Sequence, residues 1–384
     1  MRYTTGHMRY ARRPKPYPLR STLNTVIFGY YGGGNLGDEA NLGELVAFLR
    51  EIQPAMGITV ISASPESTAG CFGVASTGKY DWAGIVKVFR KADLLIGGGG
   101  SLFQDRSSLR SLMYYAGLIF LARRRGIPVF LYGQGIGPLS TKAAKLLARP
   151  ALSYAAIIAV RDRLSQKLLA ELKVGGPAIH LTADPLLMKK RIPEPDVKRY
   201  WEGIPTQAGF KLGLVPLEFH DFNLHFWTRV LDALRQRVPG IYLITTARDD
   251  WRLQYSLANN FGIPVLPVED SWEMLQMAAG GLDLVVSARL HGLVAAVVQG
   301  TPCYGLALDP KIDGFCISLG IGYYGLPDGT APFSLSQAIL NHVKQGAIAK
   351  ETLQRLSYSR RDEAIRNQTL LRQFIHSIRG REKV

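Results

Sequence analysis

The chain has 384 residues, of which 47% are hydrophobic, so it is long enough for two domains and too apolar to be disordered throughout. Its net charge of +16 predicts acidic partners, namely phosphorylated substrates, anionic lipid head groups or nucleic acid. The three cysteines lie far apart in the sequence, which argues against a disulfide framework and a cysteine zinc site, and no apolar run reaches the length of a membrane span.

Residues 1–22 are predicted to form a flexible basic arm, because the first twenty positions carry six Lys or Arg residues, three prolines and no acidic residue. Such an arm is either a solvated tail or an electrostatic attachment to an anionic membrane. It lacks the apolar core of a signal peptide, and the cysteine pattern fits a reducing compartment. We therefore expect a cytoplasmic protein, peripheral on the inner face of the membrane if the arm binds lipid.

Residues 23–190 are predicted to form a Rossmann-like domain, because short apolar runs alternate with helical periodicities as in a parallel βαβ sheet. Strands are predicted at 25–31, 58–62, 94–96, 129–132, 157–160 and 179–181. Helices are predicted between them, at 38–50, 82–91, 108–124, 141–153 and 163–172.

The loop after the first strand is rich in glycine, and its residues 32–37 fit the pattern G-x-G-x-x-G. A dinucleotide site would also need an acid at the end of the second strand, where none occurs before Glu66. Two acidic residues also crowd the helix N-terminus, where a pyrophosphate would lie. We therefore expect a loop that binds a hydroxylated ligand through Asn35 and Asp38, the alternative being that Asp38 only caps its helix.

Two further small-residue loops follow strands of the same predicted sheet. One contains the four glycines 97–100, whose backbone N–H groups can approach a ligand closely, and the other is 133–138. Arg161 follows a third strand and presents a planar fork suited to carboxylate or phosphate. Ligands of open parallel sheets bind beyond the carboxyl ends of the strands, so these loops predict a concave site at one sheet edge.

A proline-rich charged segment, 191–208, is predicted to be a linker to a second Rossmann-like domain, 209–333, which is followed by a helical tail, 334–384, that could pack back on the first domain. Strands of the second domain are predicted at 211–215, 242–246, 265–267, 284–287 and 303–307. Helices are predicted at 222–238, 250–261, 271–279 and 292–299.

The fourth strand of the second half ends in Ala288-Arg289-Leu290-His291 and opens an apolar helix. A helix N-terminus binds anions, and Arg289 and His291 lie two positions apart at that point. The sequence therefore predicts an anion site here, in a cleft between the two domains.

Seven segments in this order resemble the polysaccharide pyruvyl transferase family, especially its CsaB-type bacterial members. They are 29–40, 97–105, 133–138, 160–162, 182–185, 288–292 and 309–313. The resemblance implies two Rossmann-like domains facing each other as in the GT-B fold. It also implies phosphoenolpyruvate as a co-substrate, with neither a cofactor nor a metal.

The same resemblance implies that Arg289, the Leu290 backbone and His291 hold the donor, with Arg161 helping from the other domain. In CsaB-type members the acceptor is a lipid-linked disaccharide that contains N-acetylmannosamine. We expect the arginines to orient the donor anions and His291, its protonated form favoured beside them, to act as the acid. Lys311 follows the last strand and is expected to assist.

The acceptor is expected on the first domain. The polar side chains predicted to bind it are Asn35, Asp38, Ser101, Gln104 and Asp105.

Two other functions fit parts of the sequence. A GT-B glycosyltransferase that uses a nucleotide sugar would share the two-domain architecture. A non-enzymatic module that binds membrane or nucleic acid would share the positive charge, but basic stripes interleaved with aromatic residues are missing, so we expect no nucleic-acid partner.

Overall fold

The structure is a computed structural model that describes residues 22–106, 108–206, 209–325, 329–345 and 350–380. Apart from Thr22, the predicted basic arm lies outside the described residues. The described chain contains two sheets whose strands are all parallel, with helices on both faces of each sheet. The predicted fold class, α/β with two Rossmann-like domains, is confirmed.

The first sheet has eight strands in the order β3-β2-β1-β4-β6-β7-β8, with β5 paired to β6. The strands are β1 Asn24–Phe28, β2 Gly57–Ser62, β3 Ala75–Gly78, β4 Leu94–Gly97, β5 Gly100–Phe103, β6 Val129–Ile136, β7 Ile157–Val160 and β8 Ala178–Leu181. The helices are α1 Leu36–Ile52, α2 Pro65–Phe72, α3 Trp82–Phe89, α4 Leu109–Arg125, α5 Lys142–Leu152 and α6 Arg163–Glu171, and a 3₁₀ helix, Pro185–Met188, follows β8.

The second sheet has six strands in the order β11-β10-β9-β12-β13-β14. The strands are β9 Lys211–Val215, β10 Gly240–Ile244, β11 Val265–Leu266, β12 Leu284–Ser287, β13 Cys303–Ala307 and β14 Tyr323–Gly325. The helices from the linker onward are α7 Glu194–Glu202, α8 Leu224–Arg235, α9 Trp251–Phe261, α10 Trp272–Gly280, α11 Leu290–Gln299, α12 Pro310–Leu319, α13 Pro332–Gln345 and α14 Lys350–Gly380, and a second 3₁₀ helix, Arg248–Asp250, precedes α9.

Local sequence explains where the helices begin and end. Ser108, Thr141 and Asp162 each accept a hydrogen bond from a backbone N–H of the first turn of α4, α5 or α6, which satisfies a donor that the helix cannot pair internally. Gly126 and Gly300 end α4 and α11 in the left-handed conformation that glycine adopts without steric cost.

Strand order reverses once in each sheet, between β1 and β4 in the first and between β9 and β12 in the second. Ligands of doubly wound sheets bind at such switch points, because the loops there diverge to opposite faces and leave a crevice. The loops after β1 and β4 are the first two glycine-rich loops, and the loop after β12 carries Arg289. The topology therefore brings the predicted loops to the two crevices.

The segment predicted as a linker, 191–208, contains the helix α7. Val197 and Trp201 are buried on this helix, and the Trp201 indole donates to the Met277 carbonyl at 3.1 Å. The prolines and charges that suggested a linker occupy the start and the exposed face of the helix, while its apolar residues pack on the second domain. Within the described part of the segment, 191–206, the helix α7 thus packs on the surface of that domain.

The tail forms two helices, and the second, α14, lies against the first domain. Leu371, Phe374 and Ile375 join the core beneath the first sheet. Asn367 is fully buried, donates to the Ala183 carbonyl at 2.9 Å and accepts from the Thr182 hydroxyl at 2.9 Å. Among the described residues, no helix combines the length and the apolar character needed to cross a membrane.

Candidate active site

The first glycine loop contacts the second domain directly. The Leu36 N–H donates to the Thr246 carbonyl at 3.0 Å, and the Arg248 N–H donates to the Gly34 carbonyl at 3.1 Å. Asn35 lies between these bonds and pairs with Ala247 as in an antiparallel sheet. The loop therefore joins the two domains at one wall of the cleft.

Gly37 lies in the first turn of α1, directly against the imidazole ring of His291 at the start of α11. A Cβ atom at this position would overlap the ring, so only glycine allows the two helix N-termini to approach this closely. His291 is thereby fixed at the boundary between the two domains.

Arg161 reaches the cleft from the end of β7, and its side chain is only 5% exposed. Its Nη1 lies 3.0 Å from Asp184 Oδ2, and its Nη2 donates to Ser101 Oγ at 2.9 Å. A buried cation needs such partners because burial removes its hydration. Asp184 is the counter-ion that the sequence reasoning did not assign, although the segment 182–185 had been noted.

His291 is buried, and its Nε2 lies 3.9 Å from Asp184 Oδ2 and has no hydrogen-bond partner within the described chain. Burial lowers the pKa of His291 to about 4, Asp184 opposes this shift, and the cations of Arg161 and Lys311 reinforce it. In the protein itself the imidazole is therefore neutral near pH 7. The expectation that bound anions favour the protonated form concerns the site with its ligand and stays a prediction.

Arg289 is engaged by a carboxylate that the sequence reasoning missed. Its Nε and Nη2 donate to the two oxygens of Asp250 at 2.9 and 2.8 Å. Burial raises the pKa of Asp250, and the guanidinium of Arg289 opposes that shift. The signal that could have revealed this partner is the Asp249-Asp250 pair shortly after β10, on the same edge as Arg289.

Lys311 lies in the first turn of α12, and its Nζ is 3.4 Å from Asp309 Oδ2. It lines a pocket between the domains together with Arg161 and the first residue of α11, Leu290. The remaining lining residues are Asp162, Ala183, Asp184, Leu187, Phe315, Ser318 and Arg360. The pocket thus combines three cationic side chains, two carboxylates and the first residue of a helix around a space of about 10 Å³.

Asp38 is 7% exposed and lies against the second glycine loop, where a Cβ at Gly100 would be 2.9 Å from its Oδ1. Burial raises the pKa of Asp38 to about 7, although the charges of Lys311 and Arg161 lower it. The alternative that Asp38 merely caps α1 is wrong, because Asn35 is the N-cap and accepts from the Asp38 N–H at 3.3 Å. Asp38 can therefore hold or release a proton at neutral pH.

The predicted acceptor residues do not all meet. Ser101 lies beside Arg161 and Asp38 lies near Lys311, whereas Asn35 serves as a helix cap. Asp105 accepts hydrogen bonds from the Ser140 and Thr141 backbones at 2.8 to 2.9 Å, and thereby fixes the loop before α5. Gln104 is half-buried in the loop after β5.

The chain resembles known proteins at two levels, in its sequence family and in its fold. A sequence model of the family described as polysaccharide pyruvyl transferase matches residues 35–310. No curated protein matches the chain.

Solved structures are similar over nearly the whole chain. Anabaena Alr3699/HepE in complex with UDP and glucose is 12% identical with a TM-score of 0.61, covering 92% of this chain and 99% of that chain. A putative UDP-N-acetylglucosamine 2-epimerase from Listeria monocytogenes is 10% identical with a TM-score of 0.60, covering 92% and 97%. A glycosyltransferase from Rickettsia africae ESF-5 is 9% identical with a TM-score of 0.56, covering 94% and 99%. At these identities the likeness shows only the fold, which is GT-B. Because the family match spans most of the chain, the chain belongs to the polysaccharide pyruvyl transferase family.

Proposed function

We propose that this transferase uses phosphoenolpyruvate to form a pyruvate ketal on a cell-surface polysaccharide precursor. The observation that carries the proposal is the pocket between the domains, where Arg161, Lys311 and the N-terminus of α11 converge. Phosphoenolpyruvate carries a carboxylate and a phosphate ester on the same carbon, C2. The cations and the helix N-terminus favour such a ligand over a neutral sugar, although Asp162 and Asp184 also line the pocket and its space of about 10 Å³ has to widen to admit the donor.

Arg289 has a specific place in this arrangement. Asp250 accepts hydrogen bonds from the Nε and Nη2 of Arg289 and none from its Nη1. The Arg289 side chain is 24% exposed. A guanidinium held on one side by a buried carboxylate is pre-organised to bind an anion on the other side. We expect it to contact the donor through Nη1, at the wall opposite Arg161.

The reaction requires a proton on the methylene carbon of the donor, which leaves a cationic centre at C2. One sugar hydroxyl adds to that centre and loses its proton, the C–O bond to phosphate breaks, and a second hydroxyl closes the ketal and loses its proton. Two bound anions would raise the pKa of His291 from about 4, so that donor binding itself charges the imidazole. Asp38, with a pKa of about 7, is suited to accept the proton of an attacking hydroxyl.

The acceptor proposed from the family resemblance is a lipid-linked disaccharide that contains N-acetylmannosamine, held on the first domain near Asp38 and Ser101. With such an acceptor the enzyme would work at the cytoplasmic face of a membrane. The polar side chains beside the glycine loops support hydrogen bonding to sugar hydroxyls.

The decisive experiment measures phosphate release from phosphoenolpyruvate with and without the disaccharide, with mass spectrometry of the product. Lys311→Met should lower acceptor-dependent release by about 10²-fold or more, since it removes a charge that orients the donor. Lys145→Met, an exposed lysine on α5, is the matched control and should behave as wild type. Donor binding without any turnover would mean that the acceptor is wrong.

A second candidate, a glycosyltransferase that uses a nucleotide sugar, is favoured by one observation. A solved structure of similar fold contains UDP and glucose. Thermal-shift measurements should show stabilisation by phosphoenolpyruvate and none by UDP-glucose. The reverse result would replace the pyruvyl donor with a nucleotide sugar.

A further inference from the structure

Large apolar side chains are exposed together on the first domain, on a surface formed by the loop after β3 and the first turns of α3 and α4. We name this the α3–α4 surface, which comprises Tyr80, Trp82, Leu109, Met113 and Tyr114. Tyr80 is 75% exposed, Met113 56% and Trp82 49%. Isolated exposed apolar residues need no explanation, but a contiguous group of them marks an interaction site.

The three aromatic side chains form one cluster. The Tyr114 ring lies 6.4 Å from the Tyr80 ring and 5.8 Å from the Trp82 ring, with edge-to-face geometry in both pairs. Leu109 and Met113 are four residues apart on α4 and therefore lie on the same face of the helix. A further turn along the same face, a Cβ at Gly117 would meet only open space, so α4 is uncovered there.

The segment that builds this surface is strongly basic. Residues 79–125 contain nine Lys or Arg residues and three acidic ones. Each acid is already engaged, because Asp81, Asp93 and Asp105 accept hydrogen bonds from backbone N–H groups. Lys79 lies over the Tyr80 ring at 5.0 Å, so one positive charge lies against the aromatic surface. Of these cations, Lys79 and Arg110 lie beside the apolar side chains, whereas Arg123, Arg124 and Arg125 lie at the far end of α4. Together with the net charge of +16, the two nearby cations favour an anionic partner.

The patch borders the cleft. The loop after β3 and the start of α4 both follow the carboxyl ends of strands, which is the edge where the glycine loops lie. The Tyr115 hydroxyl, beside Tyr114, donates to the Gly29 carbonyl at 3.4 Å and so links α4 to the first glycine loop. A partner seated on this surface would lie next to the acceptor side of the site.

We infer that the α3–α4 surface docks the enzyme on an anionic lipid bilayer, with Trp82, Tyr80 and Met113 at the level of the head groups. Trp and Tyr favour that region because their rings are apolar while one end is polar, and Lys and Arg beside them reach anionic lipid. The inference rests on the proposed function in one respect, since a lipid-linked acceptor would give docking a purpose. The α3–α4 surface would be a second means of attachment to the membrane, besides the basic arm.

The test uses the full-length chain and sedimentation with vesicles of phosphatidylcholine, alone or mixed with phosphatidylglycerol. Wild type should bind the mixed vesicles and not the neutral ones. The variant Trp82→Ser/Met113→Ser should bind the mixed vesicles at least about tenfold more weakly, since two apolar side chains no longer enter the interface. The matched control is Trp251→Ser/Tyr255→Ser, an equally exposed aromatic pair on the second domain, which should bind as wild type.

A spectroscopic measurement reports the orientation directly. Trp201, Trp227 and Trp272 are buried, so in Trp251→Phe the exposed indole is Trp82. Brominated lipids should quench the fluorescence of Trp251→Phe strongly and that of Trp82→Phe much less.

Three outcomes would overturn the inference. They are failure of wild type to bind anionic vesicles, unchanged binding of Trp82→Ser/Met113→Ser, and loss of binding in the Trp251→Ser/Tyr255→Ser control. Binding that depends on the basic arm alone would give the second outcome. No donor or acceptor is present in these assays, so a negative result leaves the proposed transferase activity untouched.

Discussion

The buried carboxyl of Asp38 gives the sharpest prediction. Burial raises its pKa from the ordinary value of 3.8 to about 7, so the folded protein holds this proton more tightly than the unfolded chain does. The wild type should therefore lose stability as the pH rises from about 4 through about 7, because folding then requires either a proton or a buried charge. Asp38→Asn removes the titration and should not share this loss.

The size of the effect follows from the shift. One unit of pKa corresponds to about 1.4 kcal/mol, so the full shift amounts to about 4 kcal/mol as an upper bound. Between about pH 5 and about pH 8 the difference in unfolding free energy, variant minus wild type, should grow by about 2–3 kcal/mol. Over the same range the variant should lose acceptor-dependent phosphate release by about 10²-fold or more, since an amide cannot accept the hydroxyl proton.

Urea unfolding at a series of pH values measures the effect on stability. Asp105→Asn is the matched control. Burial raises the pKa of Asp105, but hydrogen bonds from Ser140 and Thr141 lower it by more, so its net shift is downward. It stays ionised from about pH 5 to about pH 8, and its unfolding curve should run parallel to that of wild type. If the Asp38→Asn curve also runs parallel, the pKa of the Asp38 carboxyl is not raised, and the reason for choosing it as a base near pH 7 is lost.

Three further substitutions test other contacts. Gly37→Ala places a methyl group on the His291 imidazole and should lower turnover and the unfolding temperature, whereas Gly70→Ala, whose Cβ meets open space, should do neither in the same assays. Arg289→Ala leaves the buried Asp250 carboxylate without its partner and should lower the free energy of unfolding, measured with urea near pH 7, by about 3–5 kcal/mol. A loss below about 1 kcal/mol would contradict a buried ion pair. Asn367 is fully buried and anchors α14, so Asn367→Ala should lower the free energy of unfolding by about 2–3 kcal/mol. A neutral result would mean that the tail is not held there.

The strands that sequence reasoning placed best are short, largely apolar runs. The predicted strand limits agree with the structure for β7 at 157–160, β12 at 284–287 and β13 at 303–307. Such runs are buried on both faces, as expected for parallel sheets covered by helices. Composition alone therefore indicated the core of both domains.

The elements that were missed have weak patterns for identifiable reasons. β3 is a short edge strand of small and polar residues, Ala75–Gly78, and only its pairing with β2 makes it a strand. β5, Gly100–Phe103, begins within the four glycines and was interpreted as loop. α12 starts at Pro310 and contains glycine and cysteine, which obscures its helical period.

The site likewise has features that the sequence predicts and features that it does not. Arg161 follows a strand of the first sheet, and His291 and Lys311 follow strands of the second. If the carboxyl edges of the two sheets face each other across a cleft, these residues are expected near one another. The partner of each arginine could not be predicted from the sequence. The pairing of Arg161 with Asp184 and of Arg289 with Asp250 depends on how loops fold back. The neutral state of His291 likewise depends on burial between two domains, which no local pattern encodes.

The return of α14 to the first domain has a mechanical consequence. The chain crosses between the domains once after Met188 and again through α14, and the two crossings touch where the Arg361 Nε donates to the Met188 carbonyl at 3.3 Å. We expect two adjacent crossings to act as a hinge, so that relative motion of the domains would be a rotation about them. A small rotation there widens the mouth of the cleft most at its far side. Substitutions along this axis would then change how fast substrates enter and products leave, while the chemical step at the distant cations stays the same.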